Sequence, residues 1–255
     1  MTGASGVLGT AVVPRLERDG HEVRGTSRRP RPGWVRADLV TGDGVAEAVA
    51  GVDAVVHLAS ATRYRRIAEI DVGGTRRLVT AAAAAGVRHV VYISIVGIDR
   101  IPFPYYRHKL AAEKVVQAGP VPWSILRATQ FPQLVDNRFL PPVSRLGVIV
   151  ADPAITAQLV DPRDVADRLA ALVTSGPSRE VEEYGGPEVQ SSVEIVRTWL
   201  QATGKRRPVL SLRLPGRTAK AMRTGALTTT AEPTGTRTWR DYLAERYAPV
   251  RDSQA

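Results

Sequence analysis

Three glycines at every third position, in Met1-Thr2-Gly3-Ala4-Ser5-Gly6-Val7-Leu8-Gly9, restrict what this chain can fold into more than any other feature. At that spacing, between a buried parallel strand and a helix, glycines permit a tight turn, close approach of backbone to a pyrophosphate, and close helix–strand packing. The helix that follows offers free N–H groups and a favourable dipole to phosphate. It is legible over residues 7–19, with Pro14 inside it. The strand is not legible, because only Met1 and Thr2 precede Gly3. A central parallel strand buries about five or six residues on both faces. At roughly 1.5–3 kcal/mol per side chain its loss would cost on the order of 10 kcal/mol, against a net domain stability of about 5–15 kcal/mol. The expectation is therefore that the first strand is missing and that the natural chain starts upstream. Of the 35 basic residues 4 are lysine, and Ala, Gly and Val abound. That usage fits a GC-rich coding sequence, in which a GTG valine codon is easily taken for a start.

With 255 residues, 44% of them hydrophobic, the chain can bury a sizeable core. No apolar run approaches 18 residues, so no membrane-spanning segment or membrane partner is expected. No charged-then-apolar leader is visible, and cysteine is absent. The absence of cysteine excludes disulfides, thiolate metal sites and cysteine nucleophiles. A cytoplasmic protein without a metal site fits best. The net charge of +10 raises nucleic acid as a partner. The arginines are scattered, however, apart from Arg28-Arg29-Pro30-Arg31 and Lys205-Arg206-Arg207, and no helix-turn-helix or aromatic-studded basic segment accompanies them. Nucleic acid is not expected.

Short apolar runs alternate with helical stretches through the first half, the pattern of βαβ units and a parallel sheet. Strands are expected at 21–27, 34–37, 53–58, 88–94 and 122–127, with helices at 41–50, 67–85 and 105–118 between them. Gly86 follows the second of these helices as a C-cap would. After Gln130 the cadence weakens. A short helix at 131–140 is expected to be broken by Pro141-Pro142, and strands at 148–150 and 158–160 follow. Asp161-Pro162-Arg163-Asp164 starts a helix running to about residue 174. Beyond it come a strand at 180–184, an amphipathic helix at 192–202, a strand at 208–214, and helices near 218–227 and 238–247. Residues 228–236 form a polar connector.

Seven segments resemble, in order, the atypical, NmrA-like branch of the short-chain dehydrogenase/reductase superfamily, and they cover most of the chain. They are residues 2–9, Asp38-Leu39, His57-Leu58-Ala59-Ser60, Asp71-Val72-Gly73-Gly74-Thr75, Val91-Tyr92-Ile93-Ser94, the stretch from Tyr105 through Lys109 to Glu113, and Trp123-Ser124-Ile125-Leu126-Arg127. The resemblance implies an α/β, doubly wound, Rossmann-like sheet. An NAD(P)-binding core would cover residues 1–130. Residues 131–255 would complete the sheet and form the substrate region, all within one structural domain.

Cofactor contacts are expected at Gly3, Ser5, Gly6, Val7, Leu8 and Gly9. An acidic residue at the end of the second strand selects NAD, whereas arginine accepts the 2′-phosphate of NADP. This chain has Ser27-Arg28-Arg29 and no acid there. A guanidinium pairs bidentately with phosphate and stacks on adenine. NADP(H) is therefore preferred over NAD(H), the alternative being that one of the arginines belongs to a solvated basic loop. The resemblance further implies that Asp38, beside Leu39, bonds the adenine amino group, and that Leu58, Ala59 and Ser60 line the path to the nicotinamide ribose. Tyr105 and Lys109 share one helical face at i and i+4. In the family the lysine binds the ribose and lowers the tyrosine pKa, and the phenol exchanges a proton with the substrate. A merely ribose-clamping pair is the alternative. The usual third partner, a hydroxyl after the preceding strand, falls near Val96. Ser94, two residues earlier, is the remaining candidate. Thr129, Gln130 and Phe131 are candidate substrate contacts or a helix entry.

The sequence thus points to an NAD(P)H-dependent oxidoreductase acting on a small carbonyl or quinone-like molecule, as a monomer or homodimer. A non-catalytic, NmrA-like redox sensor is the alternative, supported by Val96.

Overall fold

The structure is a computed structural model and describes residues 1–60 and 68–248. In chain order it contains α1 (Gly9–Arg18), β1 (Thr26–Ser27), β2 (Val35–Arg36), α2 (Val45–Val49) and β3 (Ala54–His57). A π-helical stretch, Ala68–Gly74, runs into α3 (Thr75–Ala84), followed by β4 (His89–Ile95), α4 (Pro104–Gln117) and β5 (Trp123–Ala128). Next come α5 (Pro132–Leu134), a second π-helical stretch Val135–Phe139, α6 (Leu140–Ser144), β6 (Ile149–Ala151), β7 (Thr156–Gln158), α7 (Pro162–Ser175) and β8 (Val181–Tyr184). The last elements are β9 (Val189–Ser191), α8 (Ser192–Ala202), β10 (Val209–Ser211), α9 (Arg217–Met222) and α10 (Trp239–Tyr247).

The chain divides into two compact units, residues 1–128 with 162–184, and residues 129–161 with 185–255. In the first unit β3, β4, β5 and β8 form a parallel sheet in that order, with Val56 opposite Val91 and Val91 opposite Ser124. Beside β3 stand Met1 and Thr2: the Thr2 N–H donates to Val56 O, the Leu58 N–H to Thr2 O, and the Thr26 N–H to Met1 O. Thr2 forms a parallel bridge with His57, and β1 pairs in parallel with β2. Residues 1–2 therefore fill the first-strand position as an isolated bridge between β1 and β3. Strand order reverses there, at the point where doubly wound sheets bind ligands.

Alternating residues of the central strands face two helical layers. Val90 and Tyr92 of β4 pack with Leu78, Val79 and Ala82 of α3, with Ala112 and Val116 of α4, and with Val45 and Val49 of α2. α7 contacts β4 and β5 and packs along α1, to which the Arg15–Asp167 ion pair joins it. Burying these β-branched side chains on both faces supplies the main stabilisation of the unit.

The second unit has its own core around Trp199, Trp239, Tyr242 and Leu243. At its centre the buried Asp136 carboxylate accepts from Trp199 Nε1 (2.7 Å), Tyr242 Oη (2.9 Å) and Tyr247 Oη (2.6 Å). Here β6 pairs in parallel with β10, and β7 in antiparallel with β9, a strand absent from the sequence reading.

Several expected elements are redrawn. Pro141 and Pro142 do not break a helix; they lie in the first turn of α6, where a missing N–H costs no intrahelical bond. α2 is shorter than 41–50, because the Asp38 N–H donates to Asp43 O and the Gly42 N–H to Asp38 O. These bonds close a turn, and the helix begins only after Gly44 at φ 69°. The strand expected at 21–27 shrinks to Thr26–Ser27, where partners exist on both sides. Residue 67, the expected start of the helix before β4, lies outside the described residues.

Candidate functional site

The glycine turn forms between β3 and α1. Gly3 has φ 69°, and a Cβ on it would stand 2.7 Å from both Leu58 C and Ala59 N. A Cβ on Gly9 would meet the Gly3 carbonyl and lie 2.5 Å from Ala4 O. The turn is thus pressed against both the strand end and the helix start. Gly6 donates its N–H to Gly3 O at 2.9 Å. The amides of Ser5, Val7 and Leu8 donate to no acceptor among the described residues. Ser5, Gly6 and Val7 are exposed, Val7 at 52%, while Leu8 is buried. Free amides at a helix N-terminus, on a turn with no side chain in the way, fit a pyrophosphate.

A polar line runs beneath this turn. Ala59 N–H donates to Thr2 Oγ1 (3.3 Å), and Thr2 Oγ1 lies 2.7 Å from His57 Nδ1. His57 Nε2 lies 2.9 Å from Thr75 Oγ1, which donates to Asp71 O at 2.5 Å. Because the Thr75 proton goes to Asp71, its oxygen accepts from Nε2–H. Nδ1 is then the acceptor for the Thr2 hydroxyl. The imidazole is neutral: burial, then the Lys109 and N-terminal ammonium charges, hold its pKa at about 3. His57 is therefore a structural histidine.

Tyr105 and Lys109 lie on α4, one turn apart. Lys109 is 2% exposed and donates to Tyr92 Oη (2.6 Å) and Ile93 O (3.0 Å). Burial lowers its pKa to about 8, against the pull of Asp71 and Glu113. Burial also raises the Tyr92 phenol, and Asp71 adds to the rise. Tyr105 Oη lies 2.7 Å from Ser60 Oγ, which donates to Asp71 Oδ1 at 2.7 Å. Four turns of α4 are registered by a bidentate pair one turn beyond Lys109: Arg127 Nε and Nη2 donate to the buried Glu113 carboxylate at 2.9 and 2.7 Å. Ser94 Oγ is buried with no hydrogen-bond partner among the described residues. Ser94 is on the same β4 face as Tyr92, by alternation. The Val96 side chain is fully buried, and its N–H donates to Ala128 O.

The remaining expected contacts divide. Arg28 and Arg29, after β1, are exposed, and neither guanidinium pairs with another described residue. The half-buried Asp38 spends Oδ1 on the Val40 N–H at 2.8 Å. Leu39 O accepts from Arg77, and Leu58, Ala59 and Ser60 follow β3 directly. In the second unit, Thr129 Oγ1 and both amide atoms of Gln130 are buried without partners among the described residues, as is Gln133 Oε1. Tyr92 and Asp71 are not among the expected site residues, although each stands within a segment that carries the family resemblance.

Residues 3–175 match the family described as NAD(P)H-binding. The chain is similar to the (4-alkanoyl-5-oxo-2,5-dihydrofuran-3-yl)methyl phosphate reductase of Streptomyces griseus, 33% identical over 208 residues, covering 76% of this chain and 70% of the relative. It is 32% identical over 151 residues to a 3-beta-hydroxysteroid dehydrogenase of Mycolicibacterium neoaurum, matching 46% of this chain and 41% of that one. The chain thus spans less than half of that relative. In fold it resembles an NADPH-dependent quinone oxidoreductase of Escherichia coli solved with NADPH, at a TM-score of 0.78 and 18% identity over 96% of this chain and 98% of the other. Among the described residues no helix is long and apolar enough to cross a membrane.

Two outcomes follow from this geometry. Gly9→Ala forces a methyl into backbone and is expected to cost about 1–3 kcal/mol with loss of dinucleotide binding. Gly6→Ala, whose Cβ meets only Gly3 O at 3.2 Å, should keep the urea midpoint and lose affinity alone. Urea unfolding and NADPH fluorescence titration read both. His57 titrates near 6.5 when unfolded and about 3 when folded. Below pH 6.5 the unfolded chain takes up a proton that the native one refuses, so stability falls on acidification, by about 2 kcal/mol at pH 5 from this group. In His57→Gln that contribution vanishes, and the stability gap to the parent should narrow between pH 7 and 5.

Proposed function

The chain belongs to the NAD(P)H-binding family, and from that membership we propose that it is an oxidoreductase, preferring NADP(H), that acts on a small carbonyl or quinone-like compound. When bound, the nicotinamide supplies or accepts hydride. Tyr105 gives its proton to the substrate oxygen in reduction and takes it back in oxidation. Lys109, held by Tyr92 and Ile93 O, is a buried cation one helical turn away, whose field favours the phenolate. The observation that carries the reading is the buried Lys109 ammonium one turn of α4 beyond Tyr105. An ammonium 2% exposed, with its pKa lowered to about 8 by burial, is costly to keep, and the neighbouring reactive phenol gives it a purpose. Ser94 supports the reading too, because its buried, unpartnered hydroxyl is a donor available to a substrate oxygen. The names of the relatives, a reductase and a quinone oxidoreductase, point the same way and do not favour a sensor without turnover.

The 2′-phosphate preference rests on Arg28 and Arg29, two exposed guanidinium groups without partners among the described residues, just after β1. They stand where the family distinguishes the two dinucleotides. The Gly3–Gly9 turn and the amides of Ser5, Val7 and Leu8 would hold the pyrophosphate, and Ser60 would meet the nicotinamide ribose. Tyr105, Lys109 and Ser94 would serve the chemistry, and the contacts from Gly3 to Ser60 would hold the cofactor.

Tyr105→Phe is expected to lower kcat with NADPH and a panel of quinones and aldehydes by at least about 100-fold, with the NADPH dissociation constant little changed. Unchanged turnover would remove Tyr105 from the chemistry. Replacing Arg28 and Arg29 together by alanine should weaken NADPH by roughly 10–100-fold and NADH by far less, as loss of charge-assisted bonds to one phosphate requires. Equal losses would refute the 2′-phosphate assignment.

A further inference from the structure

We propose that the outer face of the β6–β10 sheet is a docking surface for an anionic lipid bilayer. The surface lies wholly in residues of the second unit and is independent of the proposed reaction. One face of this two-stranded sheet joins the core of that unit through Ile149, Ala151 and Val209. The other bears Val150 and Leu210, which stand side by side in the parallel register, and both are exposed. Leu212 follows at the next position of the same alternation, with its N–H donating to Ala151 O, and is 54% exposed. The turn before β6 adjoins these strands. Arg207 Nε donates to Ser144 O at 3.0 Å and the Ile149 N–H donates to Pro208 O, so the end of α6 lies against the start of β10. On either side of Ser144, Val143 and Leu146 are exposed, Leu146 at 78%. Exposed aliphatic side chains gathered on two strands and the turn beside them mark a surface that meets a partner.

Charge selects the partner. Residues 137–151 and 195–231, which hold the two strands and their flanking turns, carry two and eight basic residues and no Asp or Glu. The carboxylates that bound the first of these segments are both buried. Asp136 accepts from Trp199, Tyr242 and Tyr247, and Asp152 is paired with Arg223. Arg145, Arg206, Arg213 and Arg217 are exposed. Where β10 begins, an open groove of about 770 Å³ against α8 is rimmed by Arg197, Lys205, Arg206 and Arg207. An apolar centre with a purely basic rim matches the layers of an anionic bilayer. The leucines enter the acyl boundary, and the guanidinium groups stay at the phosphates. Other occupants fit less well. A second copy on a two-fold axis sets arginine against arginine. A peptide added along β10 finds a three-residue strand with Pro208 at its start. Nucleic acid finds aliphatic side chains at the centre, where stacking aromatics would serve it. Adsorption to one leaflet needs no spanning helix. The expectation of no membrane partner came from the lack of a spanning segment and does not bear on it.

The test mixes the full chain with vesicles of phosphatidylcholine alone, or of phosphatidylcholine with phosphatidylglycerol, and reads bound protein by flotation. Binding to the anionic vesicles at low salt should be at least about tenfold tighter than to the neutral ones. Leu210→Ser with Leu212→Ser, and separately Arg206→Gln with Arg213→Gln, should each weaken it by roughly tenfold or more. All four side chains are exposed, so the urea midpoint of each variant should match the parent's. Leu212→Trp reads insertion directly: its emission should shift to the blue on anionic vesicles and be quenched by brominated acyl chains. Equal binding to both kinds of vesicle, or to neither, overturns the proposal. Binding that survives the leucine pair overturns it as well, since charge alone then holds the chain. So does Leu212→Trp emission that stays unshifted on vesicles that bind. Duplex DNA or soluble glycerol phosphate bound in place of vesicles gives the face to another occupant, as does a dimer that the leucine pair dissociates. Should the leucine pair not fold, the arginine pair and the Leu212→Trp emission decide.

Discussion

At Gly3 the backbone of the turn lies so close to the end of β3 that a methyl would stand 2.7 Å from Leu58 C and Ala59 N. At Gly9 the start of α1 is equally close to the Gly3 and Ala4 carbonyls. These two contacts set where β3 ends, where α1 begins, and hence where the free amides of Ser5, Val7 and Leu8 point. Everything beyond β3 is measured from that junction. The parallel register carries its position across to β4 through Val56 and Val91, and from β4 to β5 through Val91 and Ser124.

The second constraint is polar and lies along α4. Tyr105, Lys109 and Glu113 succeed one another at intervals of four residues and so share one face. The apolar stripe that would normally seat such a helix is interrupted by these three. Its azimuth is set instead by bonds to two strands: Lys109 to Tyr92 and Ile93 of β4, and Glu113 to Arg127 of β5. A buried pair of this kind contributes little net stability compared with apolar packing, since desolvation offsets the attraction. What it does supply is register. With Glu113 fixed bidentately and Lys109 fixed to a carbonyl, Tyr105 is brought within hydrogen-bond distance of Ser60.

Much of this was legible in the residues and some was not. The β–α cadence, the glycine turn and the four-residue spacing of Tyr105 and Lys109 are local patterns, and each depends on side-chain periodicity or on a backbone requirement. The return of α7 and β8 to the first unit is a long-range event, and nothing in the sequence of residues 162–184 distinguishes a helix of one unit from a helix of the other. β9 is three residues long, with an exposed Val189, and so carries no alternation to read. Pro141 and Pro142 depart from expectation because the same pair serves as a helix breaker in the interior and as a good first turn at a start. The polar residues of the site were hardest. Arg127 and Glu113 look like surface charges in a basic chain, and only the burial of Glu113 identifies the pair as internal.

The π-helical stretch before α3 ties these constraints together. An extra residue in a helical turn disturbs the ladder of carbonyls and is a recurrent feature of functional sites. Here the Asp71 carbonyl takes the Thr75 hydroxyl, and Thr75 in turn accepts from His57, whose other nitrogen accepts from Thr2 beside the glycine turn. The Asp71 side chain, on the same residue, accepts from Ser60, which accepts from Tyr105. One residue therefore closes a continuous hydrogen-bonded line from the glycine turn to the helix that carries Tyr105. Because every hydroxyl along it has a single proton already assigned, and His57 stays neutral down to a pH of about 3, the line has one polarity at neutral pH. The geometry of the turn and the direction in which the phenol hydrogen-bonds are thus set by the same bonds.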